Sequence, residues 1–228
     1  MSINAIVSYD DTANDHDALV LGRLLADAGA ELTLAYVRHA TQTEHSREEL
    51  EEHEAEVLLD RGARWLGDPD LARRVVLSGS TAEGLRWLAE QEEAQIVVFG
   101  SDYRTASGHI APGRSAQILL EGGPAAVAIA PANYVGGGPS SIRTVGVLSV
   151  AGDGAALETA RELADNFGAT LTTNERGVDL LVVGSRAEAP EGRVMITAQA
   201  QNAIENATAP VLVLARGVAL RFPVPVTA

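Results

Sequence analysis

Short apolar runs alternate along the first part of the chain with segments whose apolar residues recur at helical spacing. Continuous apolar runs are typical of strands that are buried on both faces of a sheet. Five such runs lie before residue 132: Ile3–Tyr9, Leu32–Val37, Val75–Leu77, Ile96–Phe99 and Ala125–Ala130. Their alternation with helical segments predicts an α/β fold, with an open parallel five-stranded sheet and helices on both faces.

The chain then repeats itself in shortened form. Residues 133–141 (NYVGGGPSS) have the composition of a linker. After it, LADAGAELT at 25–33 returns as LADNFGATLT at 163–172, and IVVFGS at 96–101 returns as LVVGS at 181–185, with one residue fewer before the glycine. AAVAIAP at 125–131 returns as PVLVLAR at 210–216. We therefore divide the chain into a complete domain at 1–132, a linker at 133–141 and a truncated second copy at 142–228.

The second copy lacks most of the segment between its second and fourth strands. Only residues 174–177 correspond to 38–95 of the first copy, whereas a parallel crossover needs roughly a dozen residues or more. Either residues 170–173 are not a strand, or the strand pairing differs. We expect about three strands and two helices here: Ile142–Val150, Ala155–Asn166, Leu180–Val183, Ala198–Asn206 and Val211–Ala215.

Composition narrows the possible partners and location. The formal net charge is −14, which argues against nucleic acid and anionic membranes as partners. There is no cysteine, so thiolate catalysis and disulfides are excluded. His39, His45 and His53 follow no ligand spacing, and we predict no metal site. With no leader segment and no membrane-spanning apolar run, the sequence favours a cytoplasmic protein.

The segment after the fourth predicted strand is the main candidate for a binding site. Gly100 ends that strand, turn residues follow up to Pro112, and a helix is predicted to begin at Gly113–Ser115. A glycine at the carboxyl edge of a sheet lets a ligand approach the backbone, and a helix start offers N–H groups to an anion such as phosphate. The alternative is an ordinary strand-to-helix loop.

This stretch resembles the universal stress proteins, which carry Gly-x2-Gly-x9-Gly-(Ser/Thr) at this place. Gly100 matches the first glycine and Gly113 the third, while Tyr103 replaces the second and Arg114 precedes the hydroxyl residue Ser115. The nucleotide-binding branch of the family holds ATP phosphates with these positions. The resemblance implies that Gly100 and Gly113 approach phosphates, that Ser115 donates its hydroxyl, and that Arg114 contacts phosphate. Tyr103 would either line the pocket or fill the phosphate space.

The resemblance also points to the ends of the first two strands. In universal stress proteins an Asp after strand one and a residue at the end of strand two hold the adenosine, and Asp10 and Val37 are the matching positions. The alternative role of Asp10 is to cap its turn. Asn14 is predicted to cap the next helix, with Asp17 in its first turn. Because parallel strands share one carboxyl edge, Asp10, Val37, Gly100 and Gly113 are expected to converge there.

The second copy lacks this chemistry and is interpreted as structural. Its glycine pattern reads Gly184, Ala187, Thr197 and Ala198, and there is no carboxylate at 148–150. By resemblance, the last strands of the two copies (125–130 and 211–215) pair across a pseudo-two-fold axis, forming an intramolecular pseudo-dimer. The apolar tail at 217–228 is expected to add an edge strand or to reach a second subunit in a homodimer.

Three functions remain open at this point. The first is a stress-response or regulatory protein whose first domain binds an adenine nucleotide, ATP or AMP, with magnesium only as part of the nucleotide complex. The second is a universal stress protein that binds no nucleotide and acts through dimerisation or partner contact. The third is a slow ATPase using Asp102 or His109. No P-loop is present, so we expect no enzyme.

Overall fold

Up to residue 129 the chain folds into alternating strands and helices in the order that the sequence predicts. The structure, a computed structural model, describes residues 2–39, 45–138 and 141–223. In these ranges the strands are β1 (Ile3–Ser8), β2 (Ala30–His39), β3 (Ala72–Ser78), β4 (Ile96–Phe99), β5 (Ala126–Ile129), β6 (Thr144–Leu148), β7 (Thr170–Thr172), β8 (Leu180–Val183) and β9 (Val211–Val213). The helices are α1 (Ala13–Asp27), α2 (His45–Leu66), α3 (Thr81–Gln91), α4 (Arg114–Leu120), α5 (Tyr134–Gly137), α6 (Ala155–Phe167) and α7 (Ala198–Glu205).

The described strands form one continuous nine-stranded sheet in the order β3-β2-β1-β4-β5-β9-β8-β6-β7. The first five strands are parallel to one another, as predicted. β5 and β9 pair antiparallel, with Ala128 opposite Leu212, so the predicted pairing of the two last strands is present. The two sequence copies therefore share one sheet and meet at a single antiparallel seam.

Helices cover both faces of the sheet, which is why the central strands β4, β5, β8 and β9 are apolar throughout. On one face α1, α2 and α6 contribute buried residues such as Leu21, Leu59 and Leu163. On the other face α3, α4 and α7 contribute Leu88, Leu119 and other apolar side chains. β4, β5 and β8 are buried at every position, as expected for strands with helices on both sides.

Within residues 142–223 the truncated copy contains four strands, one more than expected, because residues 170–172 do form a strand. β7 pairs with β6 at the edge of the sheet, and β8 pairs with the other side of β6. The short connection crosses the face of β6 at Gly146, where an added Cβ would lie 2.5 Å from the Asn174 carbonyl oxygen. Because β7 has only three residues and Gly146 leaves room for the chain that crosses over it, a short connection is enough to join β7 to β8.

Two segments outside the strands differ from expectation. Residues 134–137 of the predicted linker form the short helix α5, and Tyr134 is buried. After β9 the tail does not form an edge strand within residues 217–223. It packs against α6 instead, with Leu220 and Phe222 buried and the Leu220 N–H donating to Thr159 Oγ1 at 2.8 Å. Residues 224–228 of the predicted tail lie outside the described part.

None of the helices in the described ranges combines the length and apolar character needed to cross a bilayer.

Candidate functional site

The strand order places a crevice between β1 and β4. Successive crossovers run from β1 to β2 on one side, and β4 lies on the other side of β1. Ligands of open parallel sheets bind at such a switch point, beyond the carboxyl ends of the strands. The turn after β1 (residues 9–12) and the loop between β4 and α4 (residues 100–113) form the two sides of this crevice.

In this structure, the start of helix α1 lies close to the backbone of Gly100. An added Cβ at Gly100 would lie 2.0 Å from the Asn14 carbonyl oxygen. The Asn14 side chain also donates to the Ser101 carbonyl oxygen at 2.6 Å. Asn14 therefore joins the two sides of the crevice. The predicted helix cap at Asn14 is wrong, since Thr12 is the N-cap and forms a capping box with Asp15.

The loop between β4 and α4 is held by its own hydrogen bonds. The buried Ser101 hydroxyl donates to the Ala130 carbonyl oxygen at 2.7 Å. The Asp102 N–H donates to the Ala111 carbonyl oxygen at 2.8 Å, and the Gly108 N–H donates to the Ala132 carbonyl oxygen at 2.8 Å. These bonds fix the loop against the chain that leaves β5, so that α4 begins at a defined place.

The same loop recurs in the second copy, with each residue 84 positions further along the chain. The Ser185 hydroxyl donates to the Leu214 carbonyl oxygen at 2.6 Å. The Arg186 N–H donates to the Met195 carbonyl oxygen at 2.7 Å, and the Gly192 N–H donates to the Arg216 carbonyl oxygen at 2.9 Å. The constant spacing aligns β8 with β4 without a gap, so the deletion inferred before Gly184 is wrong. The hydrogen-bonded loop is therefore a structural feature of both copies.

The residues at the start of α4 face outward. Gly113 is the N-cap of α4, with φ −66°, and an added Cβ there would meet nothing within 4 Å. Arg114 is exposed and Ser115 is half-buried. Tyr103 is 73% exposed, and the Arg104 guanidinium lies 4.9 Å from the centre of its ring. Tyr103 therefore does not fill the space in front of Gly113 in this structure.

Asp10 lies at the carboxyl end of β1, beside a second carboxylate. Its N–H donates to Asp15 Oδ2 at 3.0 Å, and Asp15 closes the turn by also accepting from Thr12. The pKa of Asp10 is raised to about 6, chiefly because protein atoms displace water from the carboxyl and secondly because of the Asp15 charge, while His39 opposes the shift. The residue is exposed, so solvent screens part of this effect.

This environment makes the Asp10 pKa a testable property. We expect its carboxyl carbon to titrate in NMR spectra with a midpoint raised from the ordinary value of about 3.9 toward about 6. A raised pKa in the folded state means that folding is favoured by protonation of this group, so its contribution to stability falls as pH rises from about 4 to about 6. Asp10→Asn should remove that slope, and a midpoint near 4 would contradict the assignment.

Val37 offers its backbone to the crevice while its side chain belongs to the core. The side chain is 3% exposed and packs against α3, where a Cβ on Gly84 would lie 2.7 Å from Val37 Cγ1. β1 pairs with β2 only as far as Ser8 and Ala35, and the Tyr9 N–H donates to the Ala35 carbonyl oxygen. Since alternate residues of a parallel strand bond to opposite neighbours, the Val37 N–H and C=O point to the side where β1 has already ended.

Asp17 has a role that the sequence analysis missed. Its side chain is 2% exposed, and its carboxylate accepts from the N–H groups of Asn133 and Val135, each at 2.8 Å. Burial raises the pKa of Asp17, and these hydrogen bonds oppose the rise. Asp17 thus anchors the start of α5 to α1. Its partners lie more than a hundred residues away, so no local signal in the sequence shows them.

Two cavities of the described chain lie beside this crevice rather than in it. A cavity of about 600 Å³ is lined by Tyr36, Arg38 and His39 at the end of β2 and by residues of α2. Another of about 340 Å³ lies between α4 and α7. Neither is lined by Asp10, Gly100 or Gly113. Among the described residues, no cluster of three or more His, Asp or Glu side chains is arranged to hold a metal ion.

Comparison with known proteins supports the fold. No family model matches the sequence, and no curated protein matches it. Among solved structures, a universal stress protein from Archaeoglobus fulgidus DSM 4304 is 15% identical with a TM-score of 0.69, and 94% of this chain covers 98% of that one. A putative universal stress protein from Pseudomonas aeruginosa UCBPP-PA14 is 13% identical with a TM-score of 0.64, and 94% of this chain covers 93% of that one.

A third structure, of a protein of unknown function from Pseudomonas aeruginosa PAO1, is 13% identical with a TM-score of 0.61, and 94% of this chain covers 92% of that one. At these identities the likeness is one of architecture, and at 94% coverage it extends over both sequence copies. The chain has the fold of the universal stress proteins.

Proposed function

We propose that this protein is a universal stress protein that binds an adenine nucleotide, ATP or AMP, at the carboxyl edge of its first copy, in a regulatory rather than a catalytic role. The observation that carries the proposal is an asymmetry between the copies. At this edge the first copy has the Asp10 carboxylate, the backbone of Val37 and the open space at Gly113. A site of this kind needs these features together.

The second copy lacks each of the three features. Strand pairing aligns Val7 with Val147, which puts Val150 at the place of Asp10. β7 ends at Thr172, before the place that corresponds to Val37. Thr197 stands at the place of Gly113, and its hydroxyl accepts from the Ala200 N–H at 3.0 Å. We therefore assign nucleotide binding to the first copy and a structural role to the second.

The proposed roles follow the chemistry of each group. The Asp10 carboxylate accepts hydrogen bonds from the ribose hydroxyls or the adenine amine, and the Val37 backbone binds the base edge. The space at Gly113 takes the phosphates, with the Ser115 hydroxyl and the exposed Arg114 guanidinium as donors. Magnesium enters only with ATP, because its preferred ligands would come mostly from the phosphates and water. Gly100 acts indirectly, by letting α1 approach the loop.

A second candidate function is a protein-interaction module that binds no nucleotide. It is favoured by the β4–α4 loop, whose backbone hydrogen bonds and buried serine recur in a second copy that lacks the candidate groups. The exposed pair of Tyr103 and Arg104 fits a contact surface, because Tyr and Arg are enriched at protein interfaces. Both functions are compatible with the fold, so a binding measurement has to decide between them.

Isothermal titration of ATP and AMP into wild type and Gly113→Val tests the proposal. Gly113 has an ordinary φ of −66° and nothing lies within 4 Å of an added Cβ, so a valine there should leave the fold intact. Its side chain would fill the space proposed for the phosphates. We expect saturable binding by the wild type and a loss of roughly tenfold or more in the variant. Gly137→Val is the matched control, since its added side chain also meets nothing within 4 Å, and it should bind as the wild type does.

Absence of binding at millimolar nucleotide by the folded wild type would overturn the proposal and leave the interaction module. Equal affinity of the wild type and Gly113→Val would show that a nucleotide binds elsewhere.

A further inference from the structure

The two copies are related by a pseudo-two-fold axis at the seam of the sheet. Ala128 pairs with Leu212, Val127 with Val213 and Ile129 with Val211. The spacing of 84 that relates the two loops also relates Ala128 to Leu212, so exchanging the copies reproduces the same pairs. Matching residues of α4 and α7 must therefore face each other across this axis, on the sheet face that both helices cover.

A cavity of about 340 Å³ lies on this axis, between α4 and α7. Its lining contains the matched pairs Leu120 and Ile204, and Gln117 and Gln201. Leu120 and Ile204 are buried, whereas both glutamines are exposed. The cavity thus has an apolar floor and a polar rim, and its volume lies within the range of small-molecule sites.

One end of the cavity breaks the symmetry. Arg186 and Met195 line it from the second copy, where the first copy has Asp102 and Ala111 at the corresponding places. Within the described residues Arg186 forms no ion pair, and its Nη2 donates only a weak contact to Met195 Sδ at 3.4 Å. Its Nε is buried without a hydrogen-bond partner. A half-buried guanidinium without an anion favours an anionic ligand at this end.

The rim carries negative charge from another matched pair, Glu121 and Glu205. Both glutamates are exposed and Arg186 is half-buried, so solvent screens the glutamates more strongly than the arginine. The arginine should therefore decide the sign of the ligand. A single cation balances a monoanion, whereas a phosphate dianion would leave uncompensated charge beside two glutamates.

We propose that the cavity between α4 and α7 binds a small amphipathic monocarboxylate, with its apolar body on Leu120 and Ile204 and its carboxylate on Arg186. This site joins the two copies and is separate from the proposed nucleotide site, since neither Asp10, Val37 nor Gly113 lines it. A ligand held by side chains of both copies would stabilise the seam of the sheet.

Three probes of equal length test the sign of the ligand: hexanoate, hexylamine and hexanol. Each is titrated into the full-length ¹⁵N-labelled protein, and amide shifts are followed by NMR. Hexanoate should bind most tightly and shift signals of residues 117–121 and 201–205. Arg186→Gln should weaken hexanoate roughly tenfold without affecting hexanol. Arg193→Gln is the matched control, because Arg193 is paired with the Glu90 carboxylate at 3.2 Å outside the cavity.

A second variant ties binding to the cavity. Gln117 is exposed on α4, so Gln117→Trp fills the mouth without changing the core, and it should abolish binding of all three probes. Tighter binding of hexylamine would show that the rim glutamates prevail and would overturn the proposal. Equal binding of the three probes, or no shifts at millimolar concentration, would overturn it as well.

Discussion

Gly100→Ala is expected to lower the free energy of unfolding by about 3 kcal/mol, the upper part of the range for overpacking. The added Cβ would lie 2.0 Å from a backbone oxygen, the carbonyl of Asn14, and a backbone atom cannot move aside as a flexible side chain can. The start of α1 would have to shift and would lose the bond from Asn14 to the Ser101 carbonyl oxygen. The midpoint of urea unfolding measures the effect.

Gly113→Ala is the matched control for this prediction. It adds the same methyl group at the other end of the same loop, where nothing lies within 4 Å. We expect a change within about 0.5 kcal/mol, because the entropy gain of replacing glycine offsets the weaker N-cap. If Gly100→Ala were as stable as this control, the contact between α1 and the loop would be wrong.

Asp17→Ala is expected to cost about 3 kcal/mol of stability. The substitution leaves the N–H groups of Asn133 and Val135 without their acceptor, the buried Asp17 carboxylate, and hydrogen bonds to a charged group are worth about 1.5–3 kcal/mol each. The sum is reduced because a buried charge is removed at the same time. Urea unfolding measures the loss, and amide hydrogen exchange should show faster exchange at Asn133 and Val135.

Asp27→Ala on the same helix provides the comparison. Asp27 is exposed, and substitutions at such surface positions usually change stability by less than about 0.5 kcal/mol. Similar losses in the two variants would mean that Asp17 acts only through the charge of the helix and not through α5.

The order of strands and helices in the first copy could be predicted from the sequence, because helices on both faces of the sheet leave continuous apolar runs in its strands. The pairing of β5 with β9 could be predicted only from the family resemblance, since no local pattern in the sequence specifies it. The sequence did not show whether residues 170–172 form a strand, because the short connection that follows them is possible only through a contact in the folded structure. The missing side chain of Gly146 makes room for the crossing chain.

The candidate site was only partly predictable. Asp10, Val37 and Gly113 reach the expected edge, because parallel strands end on the same side. The contact of Gly100 with Asn14 and that of Asp17 with Asn133 join segments distant in sequence. Local rules therefore made Asn14 the helix cap and placed Asp17 in the first turn of α1, without either long-range contact. The constant spacing of 84 was visible in the pairs Ser101 and Ser185, and Gln117 and Gln201, and it would have given the correct alignment of the copies.

The central claim is that the first copy binds an adenine nucleotide and the second does not. Mapping AMP-induced amide shifts in the ¹⁵N-labelled full-length protein tests it most directly. We predict that the largest shifts cluster at residues 9–12, 37–38 and 113–115, and that residues 148–153 and 197–199 do not respond. Shifts that cluster at the second copy, or no shifts at saturating millimolar AMP, would contradict the claim.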